Sequence, residues 1–185
     1  MRAVPSSFMS TKSGVCGALL ALLLLGIQAA NAAQVTVVAL GTSNSRGRGL
    51  PASESYPAQL QALLKAKGYD VRVVNMGVNG DSTAGILARV KSVPQGTRLV
   101  LVEYAKGNED RHHITNSAAN MAAIRNELTA RNIKSIDVTG VISLAFVRAR
   151  GSGGLINAGG PHLNAAAYGE VARQVLPEVE AAIGR

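Results

Sequence analysis

Residues 35–50 read VTVVALGTSNSRGRGL. Apolar and β-branched residues run without a charge to Leu40, and the run stops at Gly41-Thr42-Ser43. A short run of this kind, closed by small polar residues, fits a strand buried on both faces. Comparable runs recur at 71–76 (VRVVNM), 98–104 (RLVLVEY) and 133–138 (IKSIDV). Between them the apolar residues fall at helical spacing. Tyr56, Leu60, Leu63 and Leu64 share one face that closes at Gly68; Met121, Ile124 and Leu128 share another; Tyr168, Val171, Val175, Val179 and Ile183 form the last. Pro177 inside that final segment predicts a kink or a break, because proline lacks the N–H that a helix interior needs. Strands alternating with helices predict an α/β fold with a central parallel sheet.

In open sheets of this type ligands bind beyond the carboxyl ends of the strands. The residues with chemistry to offer sit there. Ser43 follows the first run; Gly80 follows the second, in NMGVNGDST; Asn108 follows the third, in EYAKGNEDRHH. His162 stands in a glycine-rich stretch, NAGGPHLNAAAYG, just before the last helix. One hydroxyl and one imidazole are thereby expected on a single edge of the sheet. Each also has a plainer reading. Ser43 could cap a helix, Gly80 could serve a positive-φ turn, Asn108 could form a turn, and His162 could be a loop histidine ahead of an Asn164 cap.

The chain opens with basic residues Arg2 and Lys12, an apolar run from about Val15 to Ile27, and Ala30-Asn31-Ala32. This is the pattern of a secretory signal peptide over residues 1–32, with Met9 as an alternative start. The unbroken apolar run is shorter than the ~20 residues of a spanning helix. The expectation is a periplasmic or secreted protein with no stable membrane span once the signal is removed, and a single domain over residues 33–185. The only cysteine, Cys16, lies in that leader, which excludes disulfides, a cysteine nucleophile and a thiolate metal site from the mature chain. Loss of Arg2 and Lys12 lowers the net charge from +8 to +6. The remaining basic residues are scattered, with two Phe and no Trp, which argues against nucleic acid as a partner. His112-His113 lack a third ligand at usable spacing, so no metal is expected, and GSGGLINAGG lacks the lysine of a phosphate loop and reads as flexible scaffolding for the site.

The four positions, with the stretch GLPASESYPAQLQALLKAKGYDVRVVNMGVNGDSTAGILARV, resemble the blocks of the SGNH (GDSL-like) hydrolases, in particular the bacterial thioesterase, arylesterase and lysophospholipase branch. Nearly the whole chain beyond the leader takes part. The G-D-S-L block stands as Gly41-Thr42-Ser43-Asn44, the second-block glycine as Gly80, the G-x-N-D block as Gly107-Asn108 followed by Glu109-Asp110, and the D-x-x-H block as Gly159-Gly160-Pro161-His162. The resemblance implies a flavodoxin-like three-layer α/β/α fold and cofactor-free cleavage of a small or lipid-derived carboxylic ester or thioester through an acyl-enzyme on Ser43. It implies His162 as general base and acid, and an oxyanion hole from the N–H groups of Ser43 and Gly80 and the side-chain amide of Asn108. A helix opening at Ser43 would add a favourable field.

Three departures bear on that expectation. Thr42 and Asn44 replace the first-block aspartate and leucine. An ungapped third block would place Gly107 where the asparagine belongs. Gly159 replaces the aspartate that orients the histidine, and the sequence does not choose a substitute among Asp81, Glu109, Asp110 and a backbone carbonyl. These departures favour a rival class, a catalytically weakened relative that binds a ligand or envelope component. A third alternative, a carbohydrate acetyl esterase, is disfavoured by the scarcity of aromatic stacking residues. Arg46 and Arg48, beside Ser43, are candidates for steering an anionic substrate.

Overall fold

The first buried run forms β1 (Val35–Gly41), and its alternate residues face opposite sides of the sheet. A computed structural model describes Met1 and residues 34–184, so the leader reading falls outside the described residues. β1 pairs in parallel with β2 (Val71–Gly77) and with β3 (Thr97–Val102), and β3 pairs in parallel with β4 (Lys134–Asp137), in the order β2-β1-β3-β4. Val37, Ala39, Leu99 and Leu101 join one core cluster; Val38, Leu40, Val100 and Val102 join another. The alternation explains why these strands read as continuous apolar runs: both faces are covered. Full burial of one such Val or Leu side chain contributes about 1.5–3 kcal/mol.

The first cluster is completed by α2 (Tyr56–Ala66), α6 (Thr139–Arg150) and α7 (Ala165–Ile183). The second is completed by α3 (Thr83–Arg89) and α5 (Ser117–Ala130). The result is the expected three layers, helix–sheet–helix. Two short helices, α1 (Ser43–Arg46) and α4 (Lys106–Arg111), lie at the carboxyl edge of the sheet. Residues from Gln34 onward cluster as one compact unit, and among the described residues no helix is long and apolar enough to cross a membrane.

Two expectations are corrected. The break allowed for at Pro177 does not occur: α7 runs through it from Ala165 to Ile183. Pro177 lies on the exposed face, while Val175, Leu176 and Val179 keep the helix docked. The stretch expected as flexible scaffolding is a hairpin: β5 (Leu155–Asn157) and β6 (Pro161–Leu163) pair antiparallel, with Ile156 opposite His162.

Candidate active site

β1 delivers the chain to Thr42, whose extended backbone precedes α1 and whose side chain makes no cap bond. Ser43 is therefore the first helical residue rather than the cap. α1 is a single turn, so any field it adds at Ser43 is that of a few peptide units rather than of a long helix. What holds this turn is a residue the sequence reading passed over. Glu103, fully buried, follows β3 and reaches beneath α1. Its Oε1 accepts from the Thr42 N–H at 2.5 Å, the Thr42 hydroxyl at 2.8 Å, and the Ser45 N–H and hydroxyl at 3.2 Å each. Its Oε2 accepts from the Asn44 amide at 3.5 Å. No cation pairs with it among the described residues. A charge so placed is tolerated because oriented donors replace its water. The contact also dictates Gly41: a β-carbon there would stand 2.6 Å from Glu103 Cγ and 2.7 Å from Oε1.

Below the turn, Asn75 Nδ2 donates to the Ser45 carbonyl at 2.6 Å. Arg89 donates to the carbonyls of Gly41 and Met76, at 2.7 Å each, and pairs with Asp81 at 2.8 Å.

The hairpin brings His162 to this turn. His162 Nε2 lies 3.0 Å from Ser43 Oγ, with both residues buried, and Nδ1 lies 3.1 Å from the Gly160 carbonyl. A carbonyl can only accept, so Nδ1 carries the hydrogen. In the neutral ring Nε2 is then the acceptor, and the Ser43 hydroxyl donates to it. The three carboxylates left open by the sequence are engaged elsewhere. Asp81 holds Arg89, Glu109 accepts from Thr83 and Ser117, and Asp110 pairs with Lys106. Among the described residues no carboxylate is bonded to His162. Gly159 itself has φ +72°, and a β-carbon on it would collide with the Arg48 guanidinium.

Ser43, Gly80, Asn108 and His162 line one cavity of about 220 Å³, together with Gly107, Arg48 and Arg111. Gly80 sits in a turn at φ +75°, its carbonyl accepting from His112 Nε2 at 2.8 Å. Asn108 is buried at the start of α4; its amide donates to the Asp81 carbonyl at 2.7 Å, and Arg111 donates to its Oδ1. One amide hydrogen of Asn108 is left without a protein acceptor among the described residues, as are the N–H groups of Ser43 and Gly80. A groove of about 440 Å³, lined in part by Tyr104, Ile142 and Val147, shares Asn44, Ala105, Gly107 and Phe146 with the cavity. A larger depression of about 490 Å³ between α2, α6 and α7 contains none of these groups.

No family model matches the chain. It is 43% identical to Esterase TesA of Pseudomonas aeruginosa over 91 residues, which take in 49% of this chain and 44% of that protein. The chain thus spans less than half the length of the curated relative it matches. It is 34% identical to AlinE4, an esterase of the SGNH-hydrolase family, with a TM-score of 0.50 over 55% of this chain and 57% of that one. Against a crystal structure of TesA the TM-score is 0.64 at 25% identity, covering 79% of this chain and 98% of that one. The chain is thus similar in sequence over about half its length, and in fold over most of it, to esterases of the SGNH-hydrolase type.

Proposed function

We propose that the protein hydrolyses carboxylic esters or thioesters through an acyl-enzyme on Ser43. One observation carries this reading: Ser43 Oγ lies 3.0 Å from His162 Nε2 while Nδ1 is tied to the Gly160 carbonyl. The Ser43 hydroxyl attacks the acyl carbon as its proton passes to Nε2. The tetrahedral oxyanion is met by the free N–H groups of Ser43 and Gly80 and the remaining amide hydrogen of Asn108. The intermediate collapses as the imidazolium protonates the departing alcohol or thiol. Water, deprotonated by the same nitrogen, then attacks the acyl-enzyme, releases the acid and regenerates the serine. Loss of one oxyanion donor typically lowers turnover ~100 to 1,000-fold.

A carbonyl fixes the tautomer as the usual carboxylate would, but it brings no full negative charge to the imidazolium. In another serine hydrolase, disturbing that carboxylate costs ~10⁴-fold. This weaker support is the specific reason to keep a second reading, a slow or non-catalytic relative that binds its ligand. Hydrolysis of short-chain nitrophenyl esters by wild type, Ser43→Ala and His162→Ala separates the two. Activity lost in both variants supports the dyad. Wild type no faster than a folded Ser43→Ala favours the binding protein. We further propose, from the sequence of residues 1–32, that the chain is exported to the periplasm or exterior; N-terminal sequencing of the exported protein tests this.

A further inference from the structure

We propose that the cavity beside Ser43 is built for an ester that carries a negative group, a carboxylate or a phosphate, near the scissile bond. The inference rests on the hydrolase reading above and specifies its substrate class. Two guanidiniums, Arg48 and Arg111, line this 220 Å³ cavity, and among the described residues that line it none is acidic. Among the described residues, neither lies within ion-pair distance of a carboxylate. The other arginines with known partners are used differently. Arg89 holds Asp81 and two carbonyls, Arg131 holds the carbonyls of Val90 and Val93, and Arg173 holds Glu170.

Arg48 stands apart. It is half-buried against Gly159, where a β-carbon would displace it; its backbone N–H donates to the Ser43 carbonyl at 3.0 Å, but its guanidinium donates no hydrogen bond among the described residues. Five N–H donors in a planar fork are matched to carboxylate or phosphate oxygens. Here they face a site that already contains the hydroxyl and imidazole. Arg111 gives one donor to Asn108 and keeps the rest. Arg46, the other basic residue of the same stretch, does not line the cavity and serves as the control for general surface charge. The adjoining groove offers apolar contact through Ile142, Phe146 and Val147 for the hydrocarbon part of such an ester, with Lys106 and Arg150 also in its lining.

The test uses matched pairs. On the acyl side, 4-nitrophenyl hemiadipate is compared with its neutral methyl ester; on the alcohol side, glycerol 3-phosphate monobutyrate is compared with glycerol monobutyrate. In at least one pair, wild type should prefer the anionic member in kcat/KM, and Arg48→Gln with Arg111→Gln should lower that ratio about tenfold, as expected for lost charge-assisted bonds in a partly desolvated site. Arg46→Gln should leave the ratio unchanged. The responding pair identifies whether the carboxylate or the phosphate is the recognised group. Serine-dependent turnover with no anionic preference, or a preference indifferent to both arginines, overturns the inference and leaves the hydrolase reading standing. If no substrate shows serine-dependent turnover, the hydrolase reading fails. Calorimetric titration with the corresponding adipic monoamide and its methyl ester then decides the anion site alone, equal affinity counting against it.

Discussion

The two residues of the proposed dyad are held in different ways. Ser43 begins a turn anchored by five hydrogen bonds to a buried carboxylate that itself leaves the central sheet. His162 stands on a three-residue strand and is oriented by one neutral carbonyl two residues away in the same hairpin. Ser43, the proposed nucleophile, is thus tied to the core, while His162, the proposed base, is tied to a local glycine-rich loop. Stability and catalysis should therefore separate by region: damage beneath Ser43 unsettles the fold and the site together, whereas damage around His162 alters rate with little effect on unfolding.

The hardest test of that contrast is Glu103→Gln. An amide in place of the carboxylate turns one end into a donor facing donors, leaving buried groups unsatisfied. Urea unfolding should show a loss of about 2–4 kcal/mol, and ester hydrolysis should fall with it. The matching change on the other side is Asn157→Ala, which removes the acceptor held by the Gly160 N–H at 3.1 Å. It should cost under ~1 kcal/mol in stability while lowering kcat several-fold. Equal unfolding penalties for the two variants would break the comparison.

Restoring the aspartate sharpens it. Gly159→Asp enters at positive φ and meets Arg48, so it should destabilise by about 1 kcal/mol and bring no gain in kcat. A tenfold gain would show that the Gly160 carbonyl is a replaceable support.

The smallest effects come from two phenols. The Tyr56 hydroxyl is 3.4 Å from Ser45 Oγ in the turn that holds Ser43, whereas the buried Tyr168 hydroxyl has no partner among the described residues. Tyr56→Phe should cost up to ~1 kcal/mol and Tyr168→Phe should be neutral or stabilising. Desolvation holds both phenols well above their ordinary value of 10.0. Their contribution is complete below pH 10 and declines as the pH rises beyond it, because the unfolded chain ionises first. Alkaline unfolding curves of the two variants should be shallower than that of wild type.

The layers were legible because burial on both faces leaves near-continuous apolar strands, and the register of Ser43 after β1 follows from where that run stops. His162 was legible from its motif, but its hairpin was not: three-residue strands are too short to show periodicity, and their glycines read as flexibility. The Gly160 carbonyl has no sequence signature at all, since every residue carries one. Glu103 could have been found. A lone acid ending the apolar run RLVLVEY is costly to bury without a purpose. Arg48 over Gly159 joins residues far apart in the chain, and neither position alone suggests the contact.

The Ser43–His162 hydrogen bond spans 119 residues of sequence. Closing so long a loop, in a sheet whose every pairing is parallel and therefore non-local, is slow compared with forming helices. During refolding, far-ultraviolet ellipticity should return before esterase turnover does. Turnover of the proposed kind needs Ser43 and His162 in contact, so its return reports the docking of the hairpin on the sheet edge.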